Sequence, residues 1–342
     1  MSYDEIRTTL KNWPKLVRQY QKPNLKKSIT QIITSFGPFL VLWTLMYFSL
    51  DYSYWLTLGL GIINAFFLVR IFIIQHDCGH QAFFKSKKLN NIIGFICSFA
   101  SLIPYQYWAR SHNFHHAHNG QLEHDEIGDI KTLTVNEFRA LSPWKRLLYK
   151  LFRFPPILFT VGPIYYLFII QRLPLIQKKG WNEERWSLIF SNLYFTVFYT
   201  ALIFIFGWKS FLLVQAPILI FFAIIAVWFF YVQHQHEETY KQWKHNWEYL
   251  LASVQGSSYY NLPKLFHWLT GNIGYHHIHH LSPLIPNYNL AKCNAENPIL
   301  EKYAPKLTFL ESLKCMKNRL WDEEQQKMIS FREFYRRERK NN

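Results

Sequence analysis

Cysteine is scarce and scattered. Cys78, Cys97, Cys293 and Cys315 are the four present, and no two form a CxxC pair. That spacing excludes a disulfide framework and a zinc–thiolate site. It leaves no thiolate cluster for iron–sulfur and fits a reducing, cytoplasmic setting. Acidic residues are also in deficit, with 22 Asp and Glu against 38 Lys and Arg, for a formal net charge of +16. A basic excess raises nucleic-acid binding. Here, however, the basic residues flank apolar stretches, and no nucleic-acid partner is expected. The chain has no dinucleotide-binding fingerprint, internal repeat or low-complexity linker. Residues 1–31 are polar and basic and lack the short apolar core followed by small residues of a secretory signal. No residue pattern specifies an oligomeric state.

Apolar residues are abundant. They make up 50% of the chain and aromatics 19%, yet the mean hydropathy is only −0.08. A membrane protein with a large polar part reconciles these figures. Residues 31–50 carry no charge, and 54–75 carry only Arg70, which can snorkel to the interface. Residues 186–206 and 211–232 form a second apolar pair. Each of the four stretches is about long enough to cross a bilayer as a helix. The connections Asp51–Ser53 and Gly207–Ser210 are very short, so the spans are expected as two helical hairpins. Seven Lys/Arg lie in 1–31, fourteen in 76–185 and fifteen in 233–342, against a single Lys209 in the two short turns. This bias orients both termini and the middle segment towards the cytoplasm. Residues 91–104 are too short to span comfortably and are expected to be re-entrant or interfacial. Residues 155–171, interrupted by prolines and Gly162, are expected to form a broken or surface-lying helix. The run 322–342 reads as a charged helix with a solvated or membrane-surface face.

Histidine is concentrated. His76-Asp77-Cys78-Gly79-His80, His112-Asn113-Phe114-His115-His116 and His276-His277-Ile278-His279-His280 hold nine of the fifteen histidines. On helices, His76 and His80 share a face, and so do His112, His115 and His116, and His276, His279 and His280. His277 points elsewhere. His234 and His236 follow the fourth span, with His234 at the depth of His76 and His80. A single HxxHH is as readily a surface patch as a site, but three such clusters on one side of a membrane are not. Imidazole is the commonest metal ligand, and eight or nine imidazoles exceed the needs of one ion. Two metal ions with open positions fit the count. Counting does not choose among iron, zinc, copper and nickel. Ligating imidazoles need acceptors to orient them. Asp77, Glu123, Asp125, Glu126, Asp129, Glu237 and Glu238 are candidates, and Asn272 is a candidate to hold a water near a metal. The acidic loop 123–129 reads equally well as simply solvated.

The pattern HDCGH…HNFHH…HHIHH resembles the boxes of the membrane-bound fatty acid desaturases, acyl-lipid and bacterial branch. Gln81-Ala82-Phe83-Phe84, Gly256-Ser257-Ser258-Tyr259 and Gly271-Asn272-Ile273-Gly274-Tyr275 extend the resemblance, which covers roughly residues 30–295. It implies a di-iron centre that uses O2 and two electrons to remove two hydrogens from an acyl chain. The family's ligands fall on His76, His80, His112, His115, His116, His276, His279 and His280, with an extra one on His234. A Phe-like residue is expected where this chain has His236. His118 stands where a smaller residue is common. The family's fused haem-binding domain, marked by HPGG, is absent from the sequence. Electrons are therefore expected from a separate ferredoxin or small cytochrome, for which the basic face is a docking surface unless it serves anionic lipid.

A saturated methylene offers no acid, leaving group or polarised bond. The histidines are accordingly assigned to metal holding rather than to general base catalysis. Tyr107, Trp108, Trp228 and Tyr275, with Tyr105 and Phe229, are candidates to line the acyl path, although most such aromatics are core or interface anchors. The expectation is an all-α integral membrane protein: a cytoplasmic basic segment (1–31), a membrane and catalytic domain (32–295) and a cytoplasmic charged helical tail (296–342). It has four transmembrane helices in two hairpins and a cytoplasmic helical cap holding a His-rich dimetal site. The expected activity is insertion of a cis double bond into a membrane-lipid acyl chain. A hydroxylase or ketolase of the same superfamily is the rival, and a metal transporter or sensor a more distant one.

Overall fold

A computed structural model describes residues 3–124 and 127–341. Among these described residues four helices are long and apolar enough to cross a membrane: Leu25–Ser49, Tyr54–Gly79, Asn182–Phe206 and Trp208–His234. They form two antiparallel hairpins. The first span starts earlier than its apolar stretch because Asn24 caps it, its side chain accepting from Lys27 N at 3.0 Å. A capped polar turn therefore precedes the hydrophobic body. The second hairpin is tighter than its composition indicates. Gly207 alone separates the helices, at φ +79°, a conformation that a residue without Cβ adopts freely.

The second span is the central element. Of its most apolar window 56% is buried, against 22% for the first span and 17% for the third. Leu68, Ile71 and Ile74 pack with Phe39 and Met46 of the first span and Val214, Ile218 and Phe222 of the fourth. Polar clips register these helices. Asn64 donates to Phe39 O at 3.2 Å, and Trp43 donates to Gln215 Oε1 at 2.9 Å. The outer faces carry Leu40, Val41, Phe204 and Ile205 exposed. Apolar surface of this extent calls for a hydrocarbon solvent, and the chain is a multi-pass membrane protein.

Of residues 91–104, the first eleven belong to a helix, Lys87–Ser101, that packs along the second span, and the last three turn the chain by 101° into Tyr105–His118. The turn follows from local chemistry. Leu102 adopts φ +55°, and Pro104 begins the next helix as its N-cap. Ser101 donates to Gln75 Oε1 at 2.7 Å, while Gln75 Nε2 donates to Ile103 O at 3.0 Å. Tyr105 packs where Gly94 has no side chain; a Cβ there would lie 2.3 Å from the ring. The Tyr105 hydroxyl then donates to Cys78 O at 2.9 Å. The bend thus returns the second histidine cluster to the end of the second span. Residues 155–171 form a π-helical turn (Ile157–Val161) and short helices, bent by 56° from Pro143–Phe152.

The rest is a cap over the His76 end of the spans. It contains the short helices Tyr249–Val254, His276–Leu281 and Asn287–Glu296. The N-terminal Ile6, Leu10, Val17 and Tyr20 pack against these helices. The architecture is mostly helical, with two small sheets added. Tyr259–Tyr260 pairs in parallel with Lys306–Leu307, and Leu320–Asp322 antiparallel with Lys327–Ile329. That second pair corrects the helix expected over 322–342. Residues 320–329 form a hairpin with Trp321 buried, and the helix begins only at Phe331.

Candidate metal centre

Two helices, Tyr105–His118 and His276–Leu281, and the last turn of the fourth span converge on the end of the second span. There the imidazoles form two adjoining groups. His76, His80, His112, His116 and His279 offer ligand nitrogens all within 4.8 Å of one another, and His115, His234 and His280 do the same. His276 joins the second group, its Nε2 lying 3.0 Å from His234 Nε2 and 3.1 Å from His280 Nε2. In the first group, His116 Nε2 lies 3.1 Å from His112 Nε2 and 3.0 Å from His279 Nε2. Two nitrogens bound at right angles to one ion at a metal–nitrogen distance of about 2.1 Å are about 3 Å apart. The observed separations therefore fit shared coordination, and among the described residues the donor set is wholly imidazole.

Each HxxHH cluster is divided between the groups. His112 and His116 enter the first and His115 the second, whereas His276 and His280 enter the second and His279 the first. At 3.6 residues per turn, the i+4 residue returns to within about 40° of i, while i+3 falls about 60° to the other side. One helical turn can thus serve two sites. The sequence pattern places three rings on a common face but does not divide them.

Burial and the neighbouring imidazoles hold His80, His112, His116, His276, His279 and His280 well below the usual imidazole range. Burial, then His234, brings His115 down to about 3. Neutral rings keep one lone pair each, as metal ligation requires. Three rings have their tautomer set from behind. His76 Nδ1 faces Asp77 Oδ1 at 3.1 Å, His80 Nδ1 faces Asn113 Oδ1 at 2.7 Å and His234 Nδ1 faces Gly256 O at 3.1 Å. A carbonyl oxygen only accepts, so Nδ1 carries the proton and Nε2 is left for the metal. Asn113 Nδ2 donates to Gly79 O at 3.1 Å, which fixes the amide's orientation. Asp77 is itself anchored: its Oδ2 accepts from Asn287 N at 2.7 Å and Asn287 Nδ2 at 2.8 Å.

The other candidates lie in varied places. Burial alone would raise the Asp129 carboxyl, but Lys241, His115 and His234 together lower it overall. It accepts from Ile130 N at 2.7 Å. Glu123 accepts from Lys244 N at 2.9 Å, and Glu237 is exposed at 3.8 Å from Lys327, so both are turned away from the rings. Asp125 and Glu126 lie outside the described residues. The Asn272 side chain donates to Asn287 O at 3.2 Å and its backbone N to His267 O at 2.7 Å, away from both imidazole groups. His236 and His277 are buried outside both groups, with no hydrogen bond at either ring nitrogen among the described residues. His118 folds back on Phe114 O at 2.8 Å.

Among the aromatic candidates, Trp108 adjoins the centre, stacked on His112 at 4.6 Å. Tyr107 accepts from Ile176 N at 3.1 Å, Trp228 donates to Tyr260 at 3.3 Å and Tyr275 stacks on Tyr259 at 4.9 Å, all away from the rings. Sequence reasoning missed Phe230, which packs 5.3 Å from His115 and 5.0 Å from His234. Its position four residues before His234 was the available signal. Asn113 and Asn287 were also missed. Asn113 lies within a histidine cluster, whereas nothing in the sequence links Asn287 to Asp77.

The family model described as fatty acid desaturase matches residues 53–310. A fatty acid desaturase of Bacillus subtilis is 47% identical over 333 residues, covering 97% of this chain and 94% of that protein. An sn-1 oleoyl-lipid 12-desaturase of Synechocystis is 28% identical over 73% of this chain and 68% of its own. A chloroplastic sn-2 acyl-lipid omega-3 desaturase (ferredoxin) of Helianthus annuus is 29% identical over 68% of this chain and 54% of its own.

Proposed function

Because the chain belongs to the fatty acid desaturase family and is an oxidoreductase of that kind, we propose that it introduces a cis double bond into the acyl chain of a membrane lipid. The observation that carries this reading is the division of nine buried imidazoles into two adjoining groups at one end of four apolar spans. The acyl-lipid desaturases among its relatives support the substrate class.

In this reading His76, His80, His112, His116 and His279 hold one iron, and His115, His234, His276 and His280 the other. Bound iron supplies the redox chemistry with O2 that an unactivated methylene requires. The overall balance converts –CH2–CH2–, O2, two electrons and two protons into –CH=CH– and two waters. O2 takes four electrons, two from the acyl chain and two from a donor. The Helianthus relative is named as ferredoxin-dependent, and a ferredoxin or small cytochrome is the donor we assign here. The chain's own residues hold and orient. Asp77, Asn113 and the Gly256 carbonyl fix ring tautomers, and Trp108 and Phe230 wall the centre with apolar surface that excludes water. Both termini and the histidine end face the cytoplasm, in accordance with the distribution of Lys and Arg.

The test is lipid profiling of a bacterial host expressing the chain, together with metal analysis of the purified protein. New double bonds and close to two irons per chain are expected. Hydroxylated or ketone products alone would assign the rival chemistry of the same superfamily. Zinc in place of iron would overturn the oxidase reading.

A further inference from the structure

A cavity of about 380 Å³ opens at the histidine end of the bundle, between the first two spans and the cap. Lys26, Lys27, Gln31, Arg70, Trp268 and Asn287 are among its lining residues, and none of the lining residues is a carboxylate. Arg70 and Gln31 are only 4% and 6% exposed. Arg70 lies 3.9 Å over the Trp268 ring and donates through Nη1 to the Trp268 carbonyl, yet among the described residues its Nε has no hydrogen-bond partner. Gln31 Oε1 likewise has none. A buried cation and a buried amide oxygen left open in this way are costly unless a ligand satisfies them.

On the first span Leu25, Ile29 and Ile33 are exposed next to the lining Lys26, Thr30 and Thr34, and Leu265 and Phe266 are exposed next to the lining Trp268, which gives the cavity an apolar rim. Three cations framed by lipid-facing side chains suit an amphiphile with an anionic head. A free anion would have no use for that rim. We infer that this cleft binds the phosphodiester of a glycerophospholipid, with Lys26, Lys27 and Arg70 on the phosphate and Gln31 Oε1 accepting from a headgroup or glycerol hydroxyl.

The inference rests on the acyl-lipid reading above and gives it a substrate class. Arg70 and His76 are six residues apart on one helix, or about 9 Å along its axis. One lipid can therefore hold its phosphate in the cleft while its acyl chain reaches the imidazoles. The two places also share a support. Gln31 Nε2 donates to Asn287 Oδ1 at 3.0 Å, and Asn287 donates to the Asp77 carboxylate that faces His76. An occupied cleft thus steadies the side chain that orients a ligand ring.

The experiment compares binding of phosphatidylglycerol, diacylglycerol with the same acyl chains and inorganic phosphate to the full-length protein in neutral detergent. Phosphatidylglycerol should bind more tightly than diacylglycerol. The double variant Lys26→Gln, Lys27→Gln should weaken phosphatidylglycerol roughly tenfold and leave diacylglycerol unchanged. Lys26→Arg with Lys27→Arg should restore the preference. Because Arg70 also braces Trp268, the lysine pair is the safer probe, and the melting temperature of each variant checks its folding. Equal binding of the two lipids, an unaffected double variant, or displacement of the lipid by equimolar inorganic phosphate would each overturn the site. Binding needs no turnover. A protein that desaturates but shows no headgroup preference refutes the cleft alone, and one with the preference but no desaturation refutes the activity alone.

Discussion

His115 sits where the second cluster crosses from one imidazole group to the other, buried between His234 and Phe230. Replacing it with alanine removes one donor from the smaller group and leaves the spans untouched. We expect His115→Ala to insert in the membrane normally, to abolish desaturation and to lose iron from one group. Unchanged product yield would remove it from the ligand set. Asp77→Asn tests orientation rather than ligation. The amide keeps an oxygen for one partner but sets a second donor against the Asn287 donors. Iron affinity should fall about 10- to 100-fold, the usual effect of losing a partner behind a ligating imidazole, and metal titration of the stripped protein would measure it. The histidine clusters were legible as a possible metal site because imidazoles at that density have few other uses. The partners behind them were legible only where they adjoin a cluster, as Asp77 and Asn113 do. Asn287 lies 210 positions from Asp77, and no local pattern connects the two.

At the scale of elements, the bend between Lys87–Ser101 and Tyr105–His118 decides whether the second histidine cluster meets the first. Gly94 permits it by leaving room for the Tyr105 ring. In Gly94→Ala the new methyl group would overlap the ring, and overpacking of this kind costs about 1–3 kcal/mol. A lower melting temperature with weakened iron retention is expected, and a variant that melts and retains iron like the parent would show that the bend has slack. The four long apolar runs read directly as spans because hydrocarbon admits few alternatives to helix. The C-terminal hairpin did not. Its strands are three residues each, and its buried Trp321 is set in a charged run whose composition favours helix.

At the scale of the molecule, orientation and acid stability are the open measurements. A cysteine introduced at Lys209, in the first turn of the fourth span beside the Gly207 turn, should react with a membrane-impermeant maleimide in intact cells. One introduced at the exposed Lys317 should react only after permeabilisation. The reverse pattern would invert the proposed topology. His236 and His277 are buried outside both groups, and burial brings each down to about 3. Their folded values lie below the ordinary imidazole value of about 6.5, so the unfolded chain binds protons first as pH falls. The stability of metal-free protein should be complete above about pH 6.5 and decline steadily towards pH 3. Melting temperatures that stay flat across that window would show that these rings find proton acceptors on folding.

The sequence by itself determined that the chain spans a membrane, that it does so in hairpins, and that it belongs with the desaturases. Hydrophobic length and residue type carry that information locally, and motif spacing needs no third dimension. Only the tertiary structure decided how the imidazoles divide. A helix turn presents i, i+3 and i+4 as one stripe, and which of them faces which group depends on where the neighbouring helices sit. The same holds for the basic cleft. Lys26, Lys27 and Arg70 are unremarkable as flanking charges until the first hairpin folds antiparallel and the cap closes over it, bringing cations from distant positions to one opening beside the site.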